Sequence, residues 1–433
     1  MKRTIRLITI STAITLILFA GLTTLTIRTV AQSEDKAISA LPPEARHFDF
    51  WVGNWNGTIA GGISAPNSIT SFGIGGGIAI LESFNGGSGT SISVYNTKEQ
   101  KWYQTWFDTD QLLIEVTGEF QNGRMILVGQ ETRTTTGAKL IGRESWFNIT
   151  DNRYDFTYEV SANGGQTFQP SLSARFVKNA ATASASKNTV NSSSTNLAPS
   201  ALPSQFRQFD FLRGDWEVTT TDCLSPATST VTLFGQGGGI AVLEDYKCGG
   251  DYRGTSVSFY STQTGRWHHL WLDTEGLLLE LRGNRQSGDM VLEGEFTDPD
   301  TKLVLLGRTT FSNITSTAFD RKFEVSEDGG QTWTTKSTYT YVKPTVFQPE
   351  SFTASSVKSK KVGLRWVDRS PKEKRYEVLQ WDGAQWVIVK TLKANTTKVT
   401  VKKLQSATEY KFAVRACDKN RCSQQAELTV TTP

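Results

Sequence analysis

Two tryptophan pairs and three recurring charged positions set the range of chemistry open to this 433-residue chain. Trp102 and Trp106 precede Asp108, and Trp267 and Trp271 precede Asp273 at the same spacing. Glu82 recurs as Glu244, Glu115 as Glu280, and Arg143 as Arg308. Paired carboxylates can serve glycoside hydrolysis when the fold sets the carboxyl separation. They can equally face solvent, or form a buried Glu–Arg pair. Two tryptophans on one strand face can wall a cavity, offer a platform to an apolar molecule or sugar ring, or simply pack. Trp106, Glu115 and Arg143, with Trp271, Glu280 and Arg308, form the candidate ligand-binding set, since an apolar wall with a few polar anchors is how small molecules are held. No residue set specifies a reaction, so no catalytic residue is assigned.

Histidine excludes more than it suggests. The three histidines are His47, His268 and His269, and their counterparts in the repeat described next are Gln208, Tyr103 and Gln104. A Ser-His-Asp site or a histidine-ligated haem common to both copies is therefore excluded, and no cofactor or metal is assigned. The glycine runs Gly75–Gly77 and Gly237–Gly239 lack a following helix and Lys-Ser/Thr, so they read as turns or bulges. Cys223 and Cys248 are absent from the first copy, which pairs them with each other; Cys417 and Cys422 form a second local pair. Disulfides are expected for both pairs in an exported chain.

The elements that must position these groups come from a duplication. FDFWVGNW (Phe48 to Trp55) returns as FDFLRGDW (Phe209 to Trp216), GGGIAILE as GGGIAVLE, GTSISVY as GTSVSFY, WYQTWFD as WHHLWLD, and SANGGQTF as SEDGGQTW. The copies are collinear and each is long enough to be a domain. Their segments alternate with period two: Thr90, Ile92 and Val94 share one face and Ser91, Ser93 and Tyr95 the other; Leu112, Ile114 and Val116 oppose Glu115 and Thr117. Many strands and tight turns predict an antiparallel meander closed into a barrel, which removes its edges. Residues 41–178 and 202–343 are the two barrels. The Ala/Ser/Thr/Asn-rich 179–201 reads as a flexible linker, and 350–433 as a third domain. The fold class is all-β.

Three resemblances follow from these residues. The copies resemble a family of uncharacterised bacterial calycin-like domains marked by FDFxxGxW, GTSxxxY, WxxxWxD and SxDGGxTW. The resemblance implies a barrel and no settled activity. The Gly-x-Trp openings are similar to the first-strand signature of lipocalins, which implies that Trp55 and Trp216 plug one end, with Arg143 and Arg308 as candidate cation–π lids. Residues 350–433 resemble a fibronectin type III module. Trp366 in VGLRW would sit in its core, and Leu404, Thr408 and Tyr410 carry the spacing of a tyrosine corner, with Ser406-Ala407 in place of the usual Pro-Gly.

MKRTIR followed by an apolar run from Leu7 to Ile27 reads as an export signal over 1–31, either cleaved near Ala31 or kept as an anchor. Both place the body outside the cytoplasm: periplasmic, extracellular or on the cell surface. Beyond this segment, basic and acidic residues balance at 42 each, which argues against a general nucleic-acid binder. Residues 350–433 carry 17 Lys/Arg against 8 Asp/Glu, so this module is the candidate attachment to acidic surface polysaccharide. The expectation is a non-enzymatic binding protein for a small apolar molecule or glycan at the barrel mouths, with the last module as spacer or tether. A secreted polysaccharide hydrolase and a structural or adhesion envelope protein are the alternatives. A cavity of a few hundred cubic ångströms separates the first from the last; convergent carboxylates of raised pKa favour the hydrolase.

Overall fold

The computed structural model describes residues 36–179 and 201–433, apart from Ile38, 224–226, Gly250, Thr345, Pro371 and Asn420. The expected signal or anchor and nearly all of the expected linker lie outside the described residues. The chain divides into two units, Met1–Val342 and Lys343–Pro433.

The first unit holds two closed barrels of ten antiparallel strands each. In the first barrel the strands are β1 (Gly53–Ile59), β2 (Ile63–Phe72), β3 (Ala79–Phe84), β4 (Gly89–Asn96), β5 (Lys101–Asp108), β6 (Leu112–Gln121), β7 (Arg124–Arg133), β8 (Ala138–Thr150), β9 (Arg153–Ser161) and β10 (Gln169–Lys178). Sequential neighbours pair, and β10 returns to β1, so no edge is left open. The second barrel repeats this order from Gly214–Thr220 to Thr334–Val342.

The FDF segment plugs one end of each barrel. Phe48 meets Trp102 and Trp146 edge-on at 4.9 and 5.1 Å, and Phe209 meets Trp267 and Phe311 at 4.7 and 5.5 Å. Trp55 and Trp216 are each 1% exposed and donate their indole N–H to the carbonyls of Trp51 and Leu212. The cation over Trp55 is Lys178, at 5.2 Å, and not Arg143. Arg143 lies over Phe168 and Arg308 over Trp333, the aromatic ends of the SxDGGxTW hairpins, at 4.1 and 4.0 Å. Gly89 and Gly254 open the GTSxxxY strands because a ring crosses them: a Cβ there would come within 2.0 and 2.1 Å of Trp106 and Trp271.

The two barrels share a core. Phe72, Leu81, Ile92, Val94 and Phe107 of the first cluster with the buried apolar residues of the second. These are outward-facing positions of β2 to β5. The apolar face of GTSISVY therefore packs on the sister barrel, while its polar face points inward: Ser91 donates to Glu82, and Ser93 accepts from Gln104. Glu115 and Glu280 join the barrels reciprocally. Glu115 accepts the Thr262 N–H at 2.8 Å, and Glu280 the Thr97 N–H at 2.7 Å. Thr97 and Thr262 sit in equivalent turns of the two copies, so the interface has the self-complementary logic of a twofold dimer written in one chain.

The second unit packs a three-stranded sheet (Glu350–Lys358, Lys361–Val367, Lys398–Lys402) with a four-stranded one (Arg375–Trp381, Trp386–Lys393, Glu409–Cys417, Ala426–Thr431). Trp366, Tyr376 and Phe412 lie in their common core. The Tyr410 hydroxyl accepts the Gln405 N–H at 2.8 Å, closing the corner. Both expected disulfides are formed, Cys223–Cys248 and Cys417–Cys422. Glu377 lies beside the second, but its sulfurs are bonded to each other and offer no thiolates to a metal.

Candidate functional site

A cavity of about 240 Å³ opens inside the first barrel. Its walls are inward positions of the strands, with Trp51 of the plug segment closing one end. Trp51, Trp146, Tyr154 and Phe176 make its apolar part, and half-exposed Phe84, Trp106, Phe156 and Leu172 line it where the barrel is more open. Trp106 is held by its own motif: Asp108 accepts the indole N–H at 3.4 Å while its other oxygen accepts the Leu112 N–H at 2.9 Å. That carboxylate therefore fixes both the β5–β6 turn and the ring.

Two glutamates face each other's field in this volume. Glu82 accepts from the Asn67 side-chain amide and from the Ser91 hydroxyl, each at 2.6 Å. Glu144 is 5% exposed, and its Oε2 has no hydrogen-bond partner. Asn67 Oδ1 is likewise buried and unpartnered. Asp108, Tyr154 and Tyr158 are the other titratable groups on the wall, with Glu131 bonded to the Tyr158 hydroxyl, and among the described residues no Lys, Arg or His lines the cavity. Burial pushes Glu82 up to about 7 against the pull of Ser91 and Asn67. Burial, then the charge of Glu82, raises Glu144 well above the usual carboxylate range. Burial also raises Asp108.

These shifts set a pH dependence. A carboxyl whose folded pKa is raised keeps its proton where the unfolded chain has lost it. The folded state is then favoured at low pH, and stability falls as pH rises from about 5 through 7. For Glu82 alone the loss is on the order of 3 kcal/mol across that window. The empty protein should melt at lower temperature at pH 8 than at pH 5, and Glu144→Gln should flatten that difference. Thermal unfolding of both chains at the two pH values checks it.

Of the residues singled out from sequence, Trp106 lines the cavity, but Glu115 and Arg143 do not. Strand alternation turns Glu115 to the sister barrel, away from Ile114, and puts Arg143 on the outer face, paired with Glu159 at 2.8 Å. In the second copy Trp271 faces inward, Glu280 contacts Thr97, and Arg308 pairs with Glu324 outside at 2.9 Å. Glu280 also borders a wider recess of about 770 Å³ between the barrels, whose wall mixes Lys36, Lys98, Glu275 and Glu295 and, among the described residues, holds no orphaned buried polar atom. The residues missed were Glu144 and Arg321. Neither recurs in the other copy: Thr309 stands opposite Glu144, and Phe156 opposite Arg321. The signal that would have found them is divergence at inward positions.

The comparisons with known proteins touch the C-terminal unit. The family model of the fibronectin type III domain matches residues 347–429, where the buried tryptophan and the tyrosine corner lie. Residues 347–429 form a fibronectin type III domain. Similar solved structures include a domain designated FN3tt, 24% identical, covering 21% of this chain and 97% of its own, with a TM-score of 0.19. The fibronectin type III domain of human collagen alpha-1(XX) is another, 20% identical, covering 19% and 82%, with a TM-score of 0.18. No curated protein matches the chain. On this fibronectin type III domain Lys358 pairs across strands with Lys361, and Lys361 with Lys402. All three are exposed, so they form a row of positive charge on one sheet.

Proposed function

We propose that this chain is an exported, non-enzymatic binding protein whose first barrel takes up a small molecule. The observation that carries the reading is the first barrel's cavity, with aromatic walls and the unpartnered Glu144 oxygen. Its volume lies just below the usual range of small-molecule sites, so it suits a small ligand, and buried acceptors without partners are costly unless something donates to them. Two closed ten-stranded meanders agree with the calycin-like resemblance of the copies. Two disulfides, and the absence of a long apolar helix among the described residues, are compatible with export. The fibronectin type III domain serves as spacer or tether, and its lysine row suits an acidic polysaccharide, with binding that weakens with salt.

The hydrolase reading is favoured by one observation, the convergence of two raised-pKa carboxyls in the same cavity. Native mass spectrometry of the exported chain tests the binding reading. One small molecule per chain is expected, lost in Trp106→Ala. A chain that carries nothing, but cleaves a glycoside in a Glu82-dependent way, would replace binding with hydrolysis.

A further inference from the structure

Both barrels have the same strand register around their interiors. Phe156 pairs with Ala174 and with Trp146; its counterpart Arg321 pairs with Tyr339 and with Phe311. The two interiors can therefore be compared position by position. Glu82 accepts from Asn67 and Ser91, and Glu244 from Ser229 and Ser256 and, at 3.4 Å, from the Tyr341 hydroxyl.

The contents differ. In the second barrel the Arg321 side chain, 6% exposed, lies 4.8 Å from the centre of the Trp271 ring and 5.6 Å from that of Phe311. Its Nη1 is 3.9 Å from Glu244. Trp271, Phe311 and Glu244 are the counterparts of Trp106, Trp146 and Glu82, which wall the cavity of the first barrel. Arg321 thus places a guanidinium among the counterparts of those walls. The first barrel has Phe156 at that position, a further carboxyl in Glu144, and no basic side chain among the described residues of its wall. The second barrel sets its own cation against Glu244; the first sets Glu82 and Glu144, with Asp108 also on its wall, against none.

We infer that the first barrel takes up an organic cation bearing N–H donors, an alkylguanidinium or primary alkylammonium, with Arg321 of the second barrel marking where its charged head rests. This deepens the binding reading above and depends on it. Cation over an aromatic face, with a buried carboxylate behind, is the geometry that recognises such groups. The two unpartnered atoms of the lining residues, Asn67 Oδ1 and, once ionised, Glu144 Oε2, are acceptors, which selects N–H donors over a quaternary ammonium. Because burial raises both Glu82 and Glu144 above the usual carboxylate range, a bound cation would favour their charged form and release protons to solvent.

The test uses the intact chain near pH 7 and two probes of one shape, n-butylguanidinium and the neutral N-butylurea. Calorimetry in buffers of different ionisation enthalpy reads affinity and proton release together. The guanidinium should bind at least tenfold tighter and release protons. Glu144→Gln should narrow the preference to within threefold, and Phe156→Arg, which copies the second barrel, should bind neither probe while remaining folded by circular dichroism. If both probes bind alike and Phe156→Arg blocks both, the cavity is a binding site but the cation assignment falls. If neither probe binds the unaltered chain, the cation assignment falls, and a small molecule still carried by the exported chain in native mass spectrometry would keep the binding reading on which it rests. Should Phe156→Arg fail to fold, the Glu144→Gln preference alone decides the charge: an unchanged preference overturns the inference.

Discussion

Arg321→Ala is expected to destabilise the second barrel by about 3–5 kcal/mol, the usual cost of removing one partner of a buried charged pair. The substitution leaves Glu244, 5% exposed, without its cation, and empties the space over Trp271. Arg321→Met separates the two effects. It keeps most of the volume and drops the charge, so it should recover the part of the loss that comes from packing. n-Butylguanidinium at millimolar concentration should raise the melting temperature of Arg321→Ala more than that of Arg321→Met, because a ligand that occupies only the folded state stabilises it by mass action. Urea and thermal unfolding read both results. An alanine variant as stable as the original would mean that Arg321 does not hold the interior of the second barrel together.

The second large effect is expected between the barrels. Phe107 is wholly buried although it faces outward from its own barrel, and a Cβ added to Gly237 of the second copy would come within 2.7 Å of its ring. Phe107→Ala should cost about 3–5 kcal/mol, as deletion of a core aromatic does. Val177 also faces outward but is 47% exposed, and Val177→Ala should stay within about 0.5 kcal/mol, as exposed substitutions do. The contrast, measured by urea unfolding, isolates the contribution of the sister barrel. Equal effects at the two sites would show that the barrels do not depend on this contact.

The sequence made the architecture legible because the duplication repeats every strand, and because Gly-x-Trp, GTSxxxY and the tyrosine-corner spacing each have one structural use. Gly89 has to be glycine under Trp106, and Tyr410 has to reach Gln405. What could not be read was which face of a strand is inside. In a lone barrel the apolar face of GTSISVY would point inward. Here Ile92 and Val94 are covered by a second barrel, so both faces are buried and hydrophobicity no longer marks the interior. The same cover explains Glu115. It looked like a cavity residue because its neighbours are apolar, yet it bonds a turn of the other copy. The two inward residues on which the proposal turns were hidden for a different reason. Recurrence picks out what both barrels need to fold, whereas Glu144 and Arg321 are where the two copies part.

The stoichiometry of n-butylguanidinium on the intact chain, measured by calorimetry, tests most directly the claim that one barrel is open and the other is closed by its own cation. One molecule should bind the unaltered chain and two should bind Arg321→Ala. A value of two or of zero for the unaltered chain would contradict it.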